Sequence, residues 1–417
     1  MHILFLSDNF PPEVNAPASR TFEHCREWVA AGHKVTVVTC VPNFPKGRVF
    51  AGYRNRLWQK EEMSGICVIR VWSYITANEG FARRVADYVS YMVSALAAAL
   101  FVRSADVVIG TSPQFFTACA AYGIGRLKRI PFVFELRDLW PESIRVVGAM
   151  KRSLVLDRLE KLELFLYRKA ALIVSVTFSF RENLAMRGID GDKVRVVTNG
   201  LDLDRFKPRC KDQTLVERHG LAGKFVSGYI GTHGMAHRLE TILEAAEILS
   251  RQPGGEKYCF LFLGDGANKE ELVALAAAKR LKNILFVDSV PKEEVVKYWS
   301  LLDASIIHLK RDDLFKSVIP SKLFESMGMG IPILHGVEGE SALIVERDDV
   351  GLAFQPENAE ELSRRLRELC ENAALWRRLS TNGLHASRRY DRRVLAAKML
   401  QYLEDLVAGR QPKNDDL

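Results

Sequence analysis

Cysteine is scarce and unpatterned in this chain: seven residues, at 25, 40, 67, 119, 210, 259 and 370, with no CxxC pair and no regular spacing. That argues against a disulfide framework or a zinc site and fits a reducing cytoplasm. The G-x-G-x-x-G fingerprint is missing after the first strand, so nothing points to NAD. No DxD-type metal motif stands in a suitable context, and metal independence is expected. The apolar stretch 85–102 is 18 residues long, but Asp87 and two serines interrupt it, so a transmembrane span is not expected. A cleavable signal peptide is not expected either, because the apolar start MHILFL runs directly into Ser7-Asp8. Basic residues are not interleaved with aromatics in any nucleic-acid-binding module, so nucleic acid is not an expected partner.

What is present suits two soluble α/β domains. The 417 residues are 48% hydrophobic and 26% charged, enough for two packed cores. A net charge of +8 asks for an anionic partner, a membrane surface or a phosphorylated substrate, with local concentrations at Arg83-Arg84, 126–129 and 377–392. Short apolar runs at 2–7, 35–39, 66–74, 106–110, 132–135, 171–176 and 194–197 read as strands separated by helices. A second set follows at 226–230, 260–263, 284–287, 304–308, 331–334 and 351–354. The helix at 81–104 starts with a basic pair and either crosses a core or lies in a membrane interface. The last helix, 393–407, puts Leu395, Met399, Tyr402, Leu403 and Leu406 on one face.

Three places carry candidate chemistry. After the first strand, Pro11 to Ser19 is a loop of small residues, including Asn15, Ala16 and Pro17, that lets a ligand approach a helix N-terminus; Arg20 follows it, either as a surface charge or as a phosphate contact. Gly231, Thr232, His233 and Gly234 form a tight turn before a helix, whose free amides suit a diphosphate; His233 reads more simply as a turn residue than as a catalyst. In the stretch 312–336, Ser321 is placed to cap a short helix packed by Leu323, Phe324 and Met327 and ended by Gly328 and Gly330. Glu325 on that helix has only acceptors and suits a ribose diol, the alternative being a solvated helix position.

The segment PSKLFESMGMGIPIL (320–334) resembles the nucleotide-sugar-binding segment of retaining glycosyltransferases of family 4, which have the GT-B fold. The resemblance extends over nearly the whole chain; APASR (16–20) and RDLWPES (137–143) are similar to the bacterial polysaccharide-assembly branch, including N-acetylfucosaminyltransferase-like proteins. It implies that Glu325 holds the donor ribose, while the family's first Glu falls at Ser317. Gly264 matches a second glycine loop, and Ser289 and Val290 match positions that meet the base through backbone groups. Arg238 and Lys322 stand near where the family neutralises the leaving diphosphate. Arg137 takes the place of a frequent His, and Asp138 matches the Asp beside it, with Trp140 and Glu142 close by; a plain Arg137–Asp138 ion pair is the alternative. Asn15, Ala16, Pro17 and Arg20 match the loop on the acceptor side.

The resemblance therefore implies two Rossmann-like doubly wound domains facing across a cleft: 1–198 for the acceptor and 199–385 for the nucleotide sugar. A helix at 386–408 would return to the first domain, with a tail at 409–417. The implied reaction moves a sugar, an N-acetylated hexosamine or deoxyhexosamine, with retention. The donor is a UDP-sugar substrate with no cofactor or metal, and the acceptor an isoprenoid-diphosphate-linked or glycan molecule of O-antigen or capsule assembly. Peripheral contact with the inner membrane through 81–104 is part of that expectation. Competing readings are a UDP-N-acetylglucosamine 2-epimerase and a non-catalytic nucleotide-sugar-binding protein.

Overall fold

The structure, a computed structural model, describes residues 1–44, 47–76, 81–139, 154–291 and 293–410. Trp140, Glu142 and the rest of RDLWPES beyond Leu139 lie outside the described residues, as does the end of the tail. The chain divides into two compact units, Met1–Asn199 with Arg392–Leu417, and Gly200–Asp391.

The first unit is built on strands His2–Leu6 (β1), Lys34–Cys40 (β2), Trp58–Met63 (β3), Ile66–Val71 (β4), Val107–Thr111 (β5), Phe132–Leu136 (β6), Leu172–Ser175 (β7) and Val194–Val196 (β8). Their order across the sheet is β3-β4-β2-β1-β5-β6-β7-β8, and every pairing is parallel except β3 with β4. Helices on both faces bury the central strands on two sides, which is why these read as nearly unbroken apolar runs. One face packs Tyr91, Ala95 and Ala99 of the helix Phe81–Leu100 with Phe115 and Ile124 of the helix Phe115–Lys128. On the other face, Leu395, Met399 and Leu403 of the helix Arg392–Val407 join Trp28 of the helix Ala16–Ala30 in a single cluster with Ile3 and Phe5 of β1. Trp28 fixes that packing with a 2.9 Å hydrogen bond from Nε1 to the Ala396 carbonyl.

The second unit repeats the scheme with strands Phe225–Ile230 (β9), Tyr258–Leu263 (β10), Ile284–Val287 (β11), Ala304–His308 (β12), Ile333–Gly336 (β13) and Gly351–Ala353 (β14), all parallel in the order β11-β10-β9-β12-β13-β14. In each sheet the strand order reverses beside the unit's first strand, between β1 and β5 and between β9 and β12. Ligands of open α/β sheets bind at the carboxyl ends of such strands. The β9–β12 register holds only two pairs, Ser227 with Ala304 and Gly228 with Ser305, so the two strands are unpaired towards their carboxyl ends.

Local expectations are corrected at four points. The strand expected at 331–334 starts at Ile333, because Pro332 has no N–H to give a ladder. Ser321 does not cap the helix Lys322–Met329: its backbone is already helical at φ −60° and ψ −28°, and its side chain makes no capping bond. Gly328 lies inside that helix instead of ending it, and a Cβ there would stand 2.7 Å from the Phe206 carbonyl oxygen. Gly330, at φ +67°, is the C-cap. Strand β3 (WQKEEM) was not expected, since an exposed edge carries charges that hide its alternation.

Candidate functional site

In the second unit, two glycine loops interlock at the end of β9. The Gly231 amide donates to the Leu263 carbonyl at 2.9 Å and the His233 amide to the Asp265 carbonyl at 2.8 Å. Gly264 has φ +146°, and a Cβ on it would fall 1.9 Å from the Gly231 carbonyl oxygen, so only glycine fits. Lys322, at the start of the helix Lys322–Met329, reaches into the same place. Its Nζ lies 3.5 Å from the centroid of the Tyr229 ring and 3.0 Å from where a Cβ on Gly231 would sit. Burial pushes the Lys322 ammonium down to about 7, with Glu325 on the same helix working against that shift.

His233 is fully buried, and neither ring nitrogen has a hydrogen-bond partner. Burial, with Lys269 and Lys322 adding to it, holds its pKa down at about 4, so the ring is neutral at pH 7. It packs edge-on to Phe262. Thr232 is exposed, and its carbonyl accepts from the Tyr229 hydroxyl at 2.9 Å. Gly234 opens the turn Met235–His237. His308 Nε2 accepts from the Glu357 amide at 2.9 Å; its Nδ1 therefore carries the proton and donates to the His237 carbonyl at 2.8 Å, tying the turn to β12.

Thus Gly231, His233, Gly264 and Lys322 come together, with Glu325 one helical turn beyond Lys322. Other expected residues stand further out. Arg238 is half-exposed and paired with Glu357 at 3.2 Å. Ser317 ends the short turn Asp313–Ser317 and donates to its own Leu314 carbonyl at 2.9 Å. Ser289 is exposed just past β11, and Val290 packs against the core. Lys269, which the sequence reading did not single out, joins these loops: its Nζ donates to the Gly264 carbonyl at 2.9 Å and pairs with Asp288. Tyr229 was hidden within an apolar strand.

In the first unit the equivalent strand ends line a cavity of about 350 Å³. Asp8 follows β1, Pro113 and Gln114 follow β5, and Asn15 and Pro17 come from the small-residue loop. Two buried side chains hold the segments around it, Glu13 in its lining and Arg70 outside it. Glu13 Oε1 accepts from the amides of Asn43 and Phe44 at 2.7 and 2.8 Å. Arg70, 1% exposed, donates to the carbonyls of Cys40 and Pro11 at 3.0 and 2.6 Å. Burial pushes Asp8 up to about 6, with Asn9 opposing the shift, and pushes Asp87 up to about 7, with Asp8 adding to it.

Arg20 is corrected by this geometry: neither a surface charge nor open to an acceptor, it is 4% exposed and spent inside the unit. Its Nε meets Glu135 at 3.0 Å, and its two terminal nitrogens donate to the carbonyls of Thr198 at 2.7 Å and Val197 at 2.9 Å. Arg137 donates from Nη1 to the Pro17 carbonyl at 3.3 Å, and burial lowers it to about 10 although Glu135 pulls the other way. The amides of Arg137 and Asp138 both donate to Ser112 Oγ, at 2.7 and 3.2 Å, which fixes this strand end beside β5. Asn15 caps the helix Ala16–Ala30 through the Ala18 amide at 2.8 Å, and Ala16 is exposed outside the cavity lining. Asp8, Glu13 and Asp87 were missed in sequence, though a carboxylate directly after a first strand is a signal that position alone offers.

Comparison with known proteins covers both units. Residues 15–200 match the family described as glycosyl transferase 4-like domain, and residues 212–386 match glycosyl transferases group 1. WcaI of Escherichia coli strain K12, named as a glycosyl transferase of colanic acid biosynthesis, is 23% identical over 380 residues, covering 88% of this chain and 92% of that protein. The D-rhamnosyltransferase WbpZ of Pseudomonas aeruginosa is 26% identical over 189 residues, 42% of this chain and 47% of that protein. Among solved structures, sucrose-phosphate synthase from Thermosynechococcus elongatus superposes with a TM-score of 0.76 at 14% identity, covering 98% of this chain and 99% of that one. Anabaena HepE in complex with UDP-glucose gives 0.69 at 15% identity, covering 97% and 100%.

Proposed function

Because the chain belongs to the family 4 glycosyltransferases with the GT-B fold, we propose that it moves a sugar from a UDP-sugar to a growing cell-surface polysaccharide, with retention at the anomeric carbon. The observation that carries the donor site is Lys322, a cation seated over Tyr229 and against the Gly231 turn, at the strand-order reversal of the second sheet. A diphosphate at this turn would meet the Lys322 ammonium, and Glu325 would accept from the ribose hydroxyls. The UDP-glucose bound by HepE supports a uridine donor.

In the proposed step, the bond from the anomeric carbon to the β-phosphate oxygen breaks while the acceptor oxygen bonds to the same face. The acceptor proton passes to the departing phosphate oxygen. Lys322 stabilises the charge that develops there, which is the main electrostatic task, and Arg238 adds to it from the rim. No metal is invoked because these cations do that work. The proposed sugar is an N-acetylated hexosamine or deoxyhexosamine, and the acceptor a lipid-linked or glycan molecule. Transfer is preferred to epimerisation because both curated relatives described above are named as transferases.

No helix among the described residues is long and apolar enough to cross a membrane. Peripheral contact on the cytoplasmic face is proposed through the helix Phe81–Leu100, where Val93 and Leu100 are exposed and Phe101 follows, stacked edge-on to the exposed Trp58. The test of the whole reading is UDP release from a panel of UDP-N-acetylhexosamines, with and without an isoprenoid-diphosphate-sugar acceptor. Acceptor-dependent release that disappears in Glu325→Ala supports it. UDP binding without release for any donor and acceptor pair refutes transfer on that panel.

A further inference from the structure

Among the described residues, seven other than glycine stand in the left-handed backbone region, where a Cβ is disfavoured. Two of them, Arg238 at φ +45° and Glu357 at φ +63°, are 119 positions apart and meet side chain to side chain. Arg238 follows the turn Met235–His237 beyond the glycine loop, and Glu357 stands between β14 and the helix Ala359–Glu371. Left-handed residues other than glycine persist where their surroundings over-determine them, and they gather at ligand sites.

Glu357 is engaged at three atoms. Its Oε1 accepts from the Arg311 amide at 2.8 Å and its Oε2 from Arg238 Nε at 3.2 Å, while its own amide donates to His308 Nε2 at 2.9 Å. The Arg311 amide, with Arg238 in support, keeps the carboxyl below its usual value against partial burial, so it is ionised at pH 7. Glu357 thus ties together the loops that follow β9, β12 and β14. The tie reaches the donor site by contact: His308 donates to the His237 carbonyl, the His237 ring stands edge-on to Tyr229 at 5.6 Å, and Lys322 is seated over that same ring. At Arg238 the carboxylate takes Nε, and no other bond among the described residues engages the guanidinium. Its two terminal nitrogens are left for an anion, as a planar fork that matches phosphate oxygens. Without the carboxylate, a half-exposed arginine would spread over many rotamers.

We infer that Glu357 is a positioning residue of the donor site: its carboxylate fixes the Arg238 guanidinium at the rim of the glycine turn, and the fixed cation raises the affinity for the donor's diphosphate. This rests on the UDP-sugar reading and adds to it a residue that does not itself touch the donor. Glycine at 357 would take the same backbone without strain, so the disfavoured conformation is kept together with a side chain that has work to do.

The test is a double-mutant cycle on UDP affinity, read by titration calorimetry on the full chain. Glu357→Gln keeps an oxygen for the Arg311 amide and leaves the backbone bond to His308 intact. It should weaken UDP about tenfold, the scale of one hydrogen bond to a charged group. Glu357→Gly should weaken UDP at least as much without lowering the melting temperature, because glycine is unstrained at this φ and a half-exposed ion pair adds little stability. A merely structural role would lower affinity and stability together, and this second variant keeps the inference testable if Glu357→Gln fails to fold. In the Arg238→Ala background, itself weaker for UDP, adding Glu357→Gln should change the affinity by no more than about twofold. UDP bound by Glu357→Gln as tightly as by wild type, or more tightly, would overturn the inference, as would a loss of full size that persists in the Arg238→Ala background. Failure of the wild-type protein to bind UDP is a separate result, which sinks the donor reading itself before any variant is compared.

Discussion

The two sheets reverse their strand order at the same place, yet the residues there are chemical opposites. At the end of β1 stand Ser7 and Asp8, followed by a helix whose N-terminus is closed by its own Asn15. At the end of β9 stand Gly231 and Thr232, followed by the helix Glu240–Ser250, whose N-cap Leu239 makes no side-chain bond, and the helix Lys322–Met329 is likewise uncapped. Capping consumes an amide that would otherwise recruit an anion. On the proposed function, topology decides where a ligand would sit, while the cap and the first side chains after the strand would decide its charge.

The sharpest way to break this contrast is at Arg20. Arg20→Met strips the partner from Glu135, whose Oε2 is already without a hydrogen bond, and should cost the first unit about 3–5 kcal/mol, read by calorimetry. Unchanged stability with lost transfer would instead put Arg20 at the acceptor. Next is Lys322→Ala, expected to lower the rate of UDP release by about 10²–10³-fold, the scale for removing one preorganised charge stabiliser. A smaller loss would move the cationic role to Arg238. Gly264→Ala drives a methyl against the Gly231 carbonyl and should cost about 1–3 kcal/mol, seen as weaker UDP binding in titration calorimetry. Unaltered affinity would show that the interlocked loops do not shape the donor site.

Much of this was legible beforehand because parallel strands buried on both faces announce themselves as apolar runs. The glycine turn at 231–234 and the helix carrying Glu325 were equally plain. Three things were not. Arg20 and Glu135 are 115 positions apart, and no local pattern says that a cation after a loop will be spent on a strand carboxylate. Asp87 looked like an interruption in an apolar helix, although the interruption is the part that faces the cavity. The edge strand β3 carries charge where pattern reading asks for apolar alternation.

The mildest effect sharpens the contrast through pH. Asp8 and Asp87 titrate near 6 and 7 in the folded unit, above the usual carboxylate value, so the stability they contribute is lost as pH rises from about 4 to 7. Lys322 titrates near 7, below its usual value, so the unfolded chain holds that proton longer and the second unit gains stability from about pH 7 towards 10. Opposite drifts of the two melting transitions are expected in calorimetry, with the first abolished in Asp8→Asn/Asp87→Asn and the second in Lys322→Met. Parallel drifts would refute the assignment of opposite chemistry to the two strand ends.

The helix Arg392–Val407 has a consequence for how the chain is made. Trp28 waits for a carbonyl 368 positions downstream, and the apolar face over β1 stays open until that helix arrives. The second unit needs nothing beyond Asp391 and is free to fold as soon as it has been synthesised. The half of the enzyme that is translated first is therefore finished last. During translation its uncovered face is the stretch most exposed to aggregation, and a nascent chain stopped before residue 392 should carry a folded second unit beside an incomplete first one.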